Sequence, residues 1–246
     1  VAEGSKLATA WLNLRYTLPE RRALFEAGLS RLGYEVCHGL PNATEGVLVT
    51  WNRIGTANAI AEKFEQAGLP VIVAENAAWG NEFAGSKWYS LALRRHNTAG
   101  MFPAGDVSRW DSLKVDLGPW RDGGETVILP QRGIGSKPTA MPHGWPQDAN
   151  RRHGGRIRPH PGRSLSKPLR DDLAKAGRVV TWGSAAAVQA LLWSIPVTSE
   201  MPDWIGEQDN TDDGRLAMFR RLAWAQWRHE EIGSGEAFAW LLASSA

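Results

Sequence analysis

Gly46-Val47-Leu48-Val49-Thr50-Trp51-Asn52-Arg53 opens the stretch that decides the fold, and Pro70-Val71-Ile72-Val73-Ala74-Glu75-Asn76 closes it. Both apolar runs lack the polar alternation of a half-exposed strand. Continuous runs of this kind belong to parallel sheets covered on both faces. Between them, Asn58 to Ala67 reads as a helix ended by Gly68. A helix of that length is the crossover that a parallel pair requires. Each run ends in polar residues, Asn52-Arg53 and Glu75-Asn76. In open α/β sheets ligands sit at the carboxyl ends of strands.

The same pattern extends in both directions. Upstream, Pro19 to Leu32 places Leu24, Phe25, Leu29 and Leu32 at helical spacing before Gly33, and Tyr34 to His38 reads as a short strand. Downstream, Trp88 to Arg94 is a short helix or strand, followed by His96-Asn97. Trp110 to Arg121 reads as a linker. A second series then begins: strand Thr126–Pro130, strand Arg156–Arg158, helix Leu169–Ala176, strand Arg178–Trp182, helix Ala185–Trp193 and strand Ile195–Val197. Gly214 to Leu242 is helical with a break at Gly233-Ser234-Gly235. No period of 20–50 residues repeats. The expected architecture is α/β, with two Rossmann-like lobes and a cleft between them. Residues 1–120 would form the first lobe, 121–213 the second, and 214–246 helices crossing back to the first.

The bulk numbers exclude several classes. The chain has 246 residues, a formal net charge of +2 and one cysteine, Cys37. No apolar run approaches the ~20 residues that span a bilayer, and the first residues lack a signal-peptide pattern. With no possible internal disulfide and no zinc-finger spacing, a reducing, cytoplasmic setting is expected, and Cys37 reads as a buried structural thiol. Charge is uneven: Gln131 to Arg170 holds nine Arg or Lys, three His and one acid, Asp148. Such a segment attracts phosphates, DNA included, or is simply solvated. Of the thirteen tryptophans, Trp79, Trp88, Trp145 and Trp204 lie near Gly, Pro or Asn. Loop tryptophans of this kind stack on sugars or bases.

Four local patterns carry candidate chemistry. In Val179-Val180-Thr181-Trp182-Gly183-Ser184-Ala185 a strand feeds a Gly-Ser turn that opens a helix. Glycine lets the backbone approach a ligand, and the helix N-terminus favours an anion; an ordinary N-cap explains the same residues. Arg132-Gly133-Ile134-Gly135-Ser136 offers a guanidinium and flexible backbone to a phosphate, or is a plain turn. It is neither a Walker loop nor a complete dinucleotide fingerprint. Arg158-Pro159-His160-Pro161 frames a cation and an imidazole. Glu75, ending a buried strand, is the candidate general base, with His96 and Asp106 as weaker ones. No Gly-x-Ser-x-Gly elbow is present.

The run Arg158-Pro159-His160-Pro161, then Thr181-Trp182-Gly183-Ser184 leading to Gln189-Ala190-Leu191, then Ile195-Pro196-Val197, resembles GT-B glycosyltransferases of the capsule-polysaccharide type. With Trp51-Asn52-Arg53, Val73-Ala74-Glu75-Asn76, His96-Asn97 and Pro130 to Gly135, the chain also resembles phage-encoded DNA glycosyltransferases. Ser194 stands where that pattern has glycine, and Gln189 where it often has glutamate. The resemblance implies a nucleotide-sugar donor, a UDP-sugar such as UDP-glucose. Its phosphates would be met by Arg132, Gly133, Gly135, Arg158, His160, Thr181, Gly183, Ser184 and Ala185. It implies an acceptor near Asn52, Arg53, Asn76 and His96, with Glu75 as base and no obligatory metal. The acceptor expected is a hydroxymethylated pyrimidine, such as hydroxymethylcytosine, in double-stranded DNA. The alternatives are a glycan or small-molecule acceptor, or a non-catalytic nucleotide- or DNA-binding module.

Overall fold

The computed structural model describes residues 8–14, 18–95, 99–131, 139–160 and 167–243. In chain order its elements are β1 (Ala8–Asn13), α1 (Pro19–Arg31), β2 (Tyr34–His38), β3 (Val47–Trp51), α2 (Thr56–Gln66), β4 (Val71–Asn76), β5 (Glu82–Phe83) and β6 (Ser86–Leu93). There follow α3 (Ser108–Asp111), β7 (Glu125–Leu129), α4 (Trp145–His153), β8 (Arg156–Ile157), α5 (Leu169–Asp172), β9 (Ala176–Thr181), α6 (Ala186–Leu192) and β10 (Val197–Ser199). The last are α7 (Asp212–Leu222), β11 (Gln226–Arg228), α8 (His229–Ser234) and α9 (Glu236–Ala243). The chain forms two compact units. One comprises Val1–Asn76, Gly85–Ala104 and Trp224–Ala246; the other comprises Ala77–Ala84 and Gly105–Ala223.

The first unit is built on a sheet of order β11-β6-β4-β3-β1-β2. β2, β1, β3 and β4 are parallel, while β6 runs antiparallel to β4 and β11 antiparallel to β6. The parallel strands thus lie in the order 2-1-3-4, and the winding reverses between β1 and β3. Both faces are covered, as continuous apolar strands require. Ala10, Leu12, Val47, Val49, Ile72 and Ala74 pack with Phe25 and Leu29 of α1, Ile232 of α8 and Phe238 of α9. The alternating positions Trp11, Leu48, Val71 and Val73 pack with Ala61 and Phe64 of α2. Each fully buried Val or Leu adds roughly 1.5–3 kcal/mol.

The second unit carries a four-stranded sheet of order β10-β9-β7-β8, with every pair parallel. Renumbered within the unit, this is again 2-1-3-4, with the reversal between β7 and β9. Ile128, Val180, Trp145 and Ala149 form its α4-side core. A separate aromatic stack joins Trp79, Phe83, Trp110 and Phe219, with Trp110 and Phe219 centroids 4.6 Å apart.

Several expectations need correction. The stretch expected to link the lobes begins with Trp110, which is buried in α3. Leu169 to Ala176 is not one helix: α5 stops at Asp172 and Ala176 already belongs to β9. The C-terminal helical stretch is interrupted by β11, whose Gln226 side chain bonds Ser90 Oγ on β6. Helix α4 begins at Trp145 with Pro146 in its first turn and ends at Gly154. The four loop tryptophans are core residues: Trp79, Trp88, Trp145 and Trp204 are each no more than 4% exposed. They offer no free face to a sugar or base. Cys37 is half-buried rather than buried, packing at the margin of the α2-side core.

Helix α1 meets α8 at Gly28. A Cβ there would lie 2.0 Å from the Ile232 carbonyl oxygen and 2.9 Å from the Phe238 ring. Backbone cannot yield as a flexible side chain can. Gly28→Ala is therefore expected to destabilise the protein by about 1–3 kcal/mol despite the better helix propensity of alanine. Urea denaturation checks this, and a gain in stability would contradict the packing.

Candidate functional site

Parallel pairing places the residues after β7, β8, β9 and β10 on one edge of the second unit's sheet. The structure therefore brings Arg158, His160, Thr181, Gly183, Ser184 and Ala185 to a common edge. Arg132, Gly133 and Gly135 lie outside the described residues.

The turn after β9 is organised by Thr181, which is fully buried. Its hydroxyl donates to the Leu129 carbonyl across the reversal point at 2.8 Å and accepts the Ser184 N–H at 2.9 Å. Ser184 Oγ accepts the Ala186 N–H at 3.3 Å. Two amides at the start of α6 are thus satisfied by side chains. Gly183 has a different reason from the one expected. A Cβ there would lie 2.5 Å from Met201 Sδ, so glycine makes room for Met201. Gln131 Nε2 and Trp182 Nε1 both donate to the Thr139 carbonyl, fixing the base of this edge.

Arg158 is 8% exposed. Its Nε donates to Asp172 Oδ2 at 2.5 Å and its Nη2 to the Lys167 carbonyl. Arg156 beside it makes two hydrogen bonds to Glu125 and pairs with Asp172. The Arg156 guanidinium holds the Glu125 carboxyl below the usual range. His160 is exposed at the end of this segment. Arg151 pairs with Asp148 and Arg152 with Glu200. The basic stretch read from the sequence is thus largely an ion-paired network, its acids supplied mainly from outside the segment.

Glu200 was missed in the sequence. It follows β10 on the same edge, and its position just past a strand end was the available signal. Its oxygens accept from both Arg152 Nη groups, at 2.6 and 2.8 Å, and from Trp145 Nε1 at 2.8 Å. His153 Nε2 lies 3.1 Å away. Arg152 above all holds the carboxyl near a pKa of about 2.

On the first unit, Asn52, Arg53, Glu75 and Asn76 also share the carboxyl edge of the parallel strands. Asn52 adopts a left-handed conformation, φ 58°, and turns the chain out of β3. Arg53 is committed to the fold: it bonds both oxygens of Glu65, Asn58 Oδ1 and the Arg94 carbonyl. It clamps α2 to the strand ends. Glu75 is half-buried and Asn76 exposed; their Cα partners on β6 are Ser90 and Tyr89. At the reversal point Asn13 Nδ2 donates to Thr50 Oγ1 at 3.1 Å. His96 lies outside the described residues.

Among the described residues, no group of three His, Cys, Asp or Glu could hold a metal ion. Among them, no helix is long and apolar enough to cross a membrane. Comparison with protein-family models and with curated proteins found no match to this chain.

The Glu200 ion pairs give a pH prediction. A carboxyl whose folded pKa lies below its unfolded value of 4.5 stabilises the fold above that value. The contribution is lost as pH falls from 4.5 towards about 2. Arg152 is half-exposed, so screening reduces the effect to roughly 1–2 kcal/mol. Glu200→Gln should lower stability at neutral pH by that amount and flatten the acid limb. Parallel acid limbs for the two proteins in chemical denaturation would contradict it.

Proposed function

We propose that this chain is a glycosyltransferase of the GT-B type, taking a sugar from a nucleotide-sugar donor. The observation that carries the reading is the repeated strand order. Each unit has parallel strands in the order 2-1-3-4 with one reversal point, and ligands of such sheets bind outside the carboxyl ends at that point. Those residues suggested by the family resemblance that are described lie along these two edges. In this reading the second unit holds the nucleotide diphosphate at the Thr181–Ser184 turn, with His160 along the same edge. The first unit carries the acceptor and Glu75. The two lobes of that class, with their cleft, belong to the same proposal.

Glu75 would take the proton of the acceptor hydroxyl. The acceptor oxygen bonds to the anomeric carbon as that carbon's bond to the diphosphate breaks, and the diphosphate leaves with the electron pair. Side-chain donors on this edge, His160 among them, would stabilise the departing charge without a metal, because two amides at the start of α6 are already taken by Thr181 and Ser184. Arg158 contributes by holding the β8 end through Asp172 and Lys167 rather than as a free phosphate ligand.

The proposed acceptor is a hydroxymethylated pyrimidine in double-stranded DNA. One observation favours a second reading, a glycan or small-molecule acceptor. Of the six described cations between Gln131 and Arg170, four are ion-paired: Arg151, Arg152, Arg156 and Arg158. That leaves less free charge for a DNA backbone than the sequence suggests.

Incubation with hydroxymethylcytosine DNA, or with free glycans, and a panel of nucleotide sugars tests both readings. The product is detected as a gain of one sugar mass. Glu75→Gln should reduce transfer by 100-fold or more while leaving donor affinity within about twofold. Full transfer by that variant would remove Glu75 from the mechanism. Donor binding with no product from any acceptor would leave a binding module instead.

A further inference from the structure

The first unit carries a second set of polar groups on its carboxyl edge, outside the residues assigned above. Arg21 lies in the first turn of α1, the helix that leaves the reversal point. Its guanidinium carbon is 3.7 Å from the centroid of Trp51, the last residue of β3, and 4.7 Å from that of Tyr89 on β6. Trp51 and Tyr89 meet edge to face at 5.3 Å, and His229 stacks on Tyr89 at 4.5 Å. The guanidinium is thus held against aromatic faces. Its Nε is buried and has no acceptor. Among the described residues its two Nη groups make no hydrogen bond and face no carboxylate.

Arg21 differs from the ion-paired arginines, as do Arg170 and Arg228, which also lie over tryptophan rings with no carboxylate partner among the described residues. Arg53, Arg151, Arg152, Arg156, Arg158, Arg215 and Arg220 each have a carboxylate partner. Lys87, exposed at the start of β6, also has none among the described residues. Burial pushes the His229 imidazole below its ordinary range, and the charges of Lys87 and Arg21 push it the same way, while Glu230 opposes them. Lys87 stands two positions before Tyr89 on β6, on the same face of the sheet as the ring that Arg21 overlies, and the exposed acids nearby in sequence are Glu20 in the first turn of α1 and Glu230. Helix α1 adds its positive pole, and no side chain caps its first turn.

We infer that this edge binds a phosphate ester, with Arg21 gripping two phosphate oxygens through its open Nη fork and Lys87 supplying the second charge. A guanidinium fixed by stacking presents its donors in one plane, the geometry that suits bidentate phosphate contact. Two cations match the charge of a phosphate, about −1.5 to −2 for a monoester near neutral pH, better than that of a single carboxylate. Phosphate binding here needs no sugar transfer, so this inference and the transferase reading fail separately.

Calorimetric titration with inorganic phosphate, thymidine 5′-monophosphate and the dinucleoside monophosphate TpT tests it, with thymidine as the uncharged reference. Both thymidine phosphates should bind at least tenfold more tightly than thymidine. Arg21→Gln should weaken phosphate binding about tenfold or more, and Lys87→Gln about threefold. Arg220→Gln, paired with Asp111 in the other unit, should change nothing. Tighter binding of TpT would identify a nucleic-acid backbone; tighter binding of the monoester would identify a small phosphorylated ligand. Equal affinity for thymidine and its phosphates, or unchanged binding in Arg21→Gln, would overturn the site. If Arg21→Gln does not fold, the wild-type protein still decides the matter. The His229 ring resonances should move on phosphate addition, and their constancy at saturation would overturn the inference.

Discussion

A parallel strand pair cannot be joined by a tight turn; the chain must return over a face of the sheet before it pairs again. Every segment that follows a parallel strand therefore emerges on the same edge. In this protein that constraint acts twice. It gathers Asn52, Arg53, Glu75 and Asn76 on one edge of the first unit, and Arg158, His160, Thr181, Ser184 and Glu200 on one edge of the second. Residues scattered over many turns of sequence become neighbours for topological reasons. The reversal of winding, between β1 and β3 and between β7 and β9, then opens each edge where two crossovers diverge.

Charge is distributed by pairing. The guanidiniums of Arg53, Arg156 and Arg158 are spent on Glu65, Glu125 and Asp172, and each joins a helix or loop to a strand end. Glu200 does the same for both ends of α4 through Trp145, Arg152 and His153. Arg215 is the extreme case, almost fully buried, stacked 4.0 Å over Trp120 and bonded to the Leu117 and Gly118 carbonyls. Burial lowers its pKa. Arg21 and Lys87 have no carboxylate partner among the described residues, and two cations on one face form an arrangement that an anion relieves.

The α/β class was legible because strands buried on both faces show as unbroken apolar runs. Gly46 to Asn76 gave β3, α2 and β4 to within about two residues. Short elements were harder. β11 has three residues inside a helical stretch, and its place is fixed by pairing with β6, which no local pattern records. α4 begins with Trp-Pro and buries only Trp145 and Ala149, so its apolar face is too short to mark it. Side-chain roles were least legible. Gly183 looked like an approach point for a ligand, yet the space above it belongs to Met201, eighteen positions away. The tryptophans near turns looked like stacking surfaces, yet they are buried by residues far away in sequence, Trp145 by Ile128 and Val180 and Trp79 by Trp110. The ion pairs of the basic segment depend on Glu125, Asp172 and Glu200, which only the folded chain brings near.

The central claim is that ligand binds where the winding reverses, with the nucleotide on the second unit. Hydrogen exchange measured with and without saturating UDP-glucose tests this most directly. The account predicts slowed exchange in peptides covering Leu129–Gln131 and Thr181–Ala187, at the carboxyl ends of β7 and β9. Protection confined to the first unit, or to the opposite ends of these strands, would contradict it.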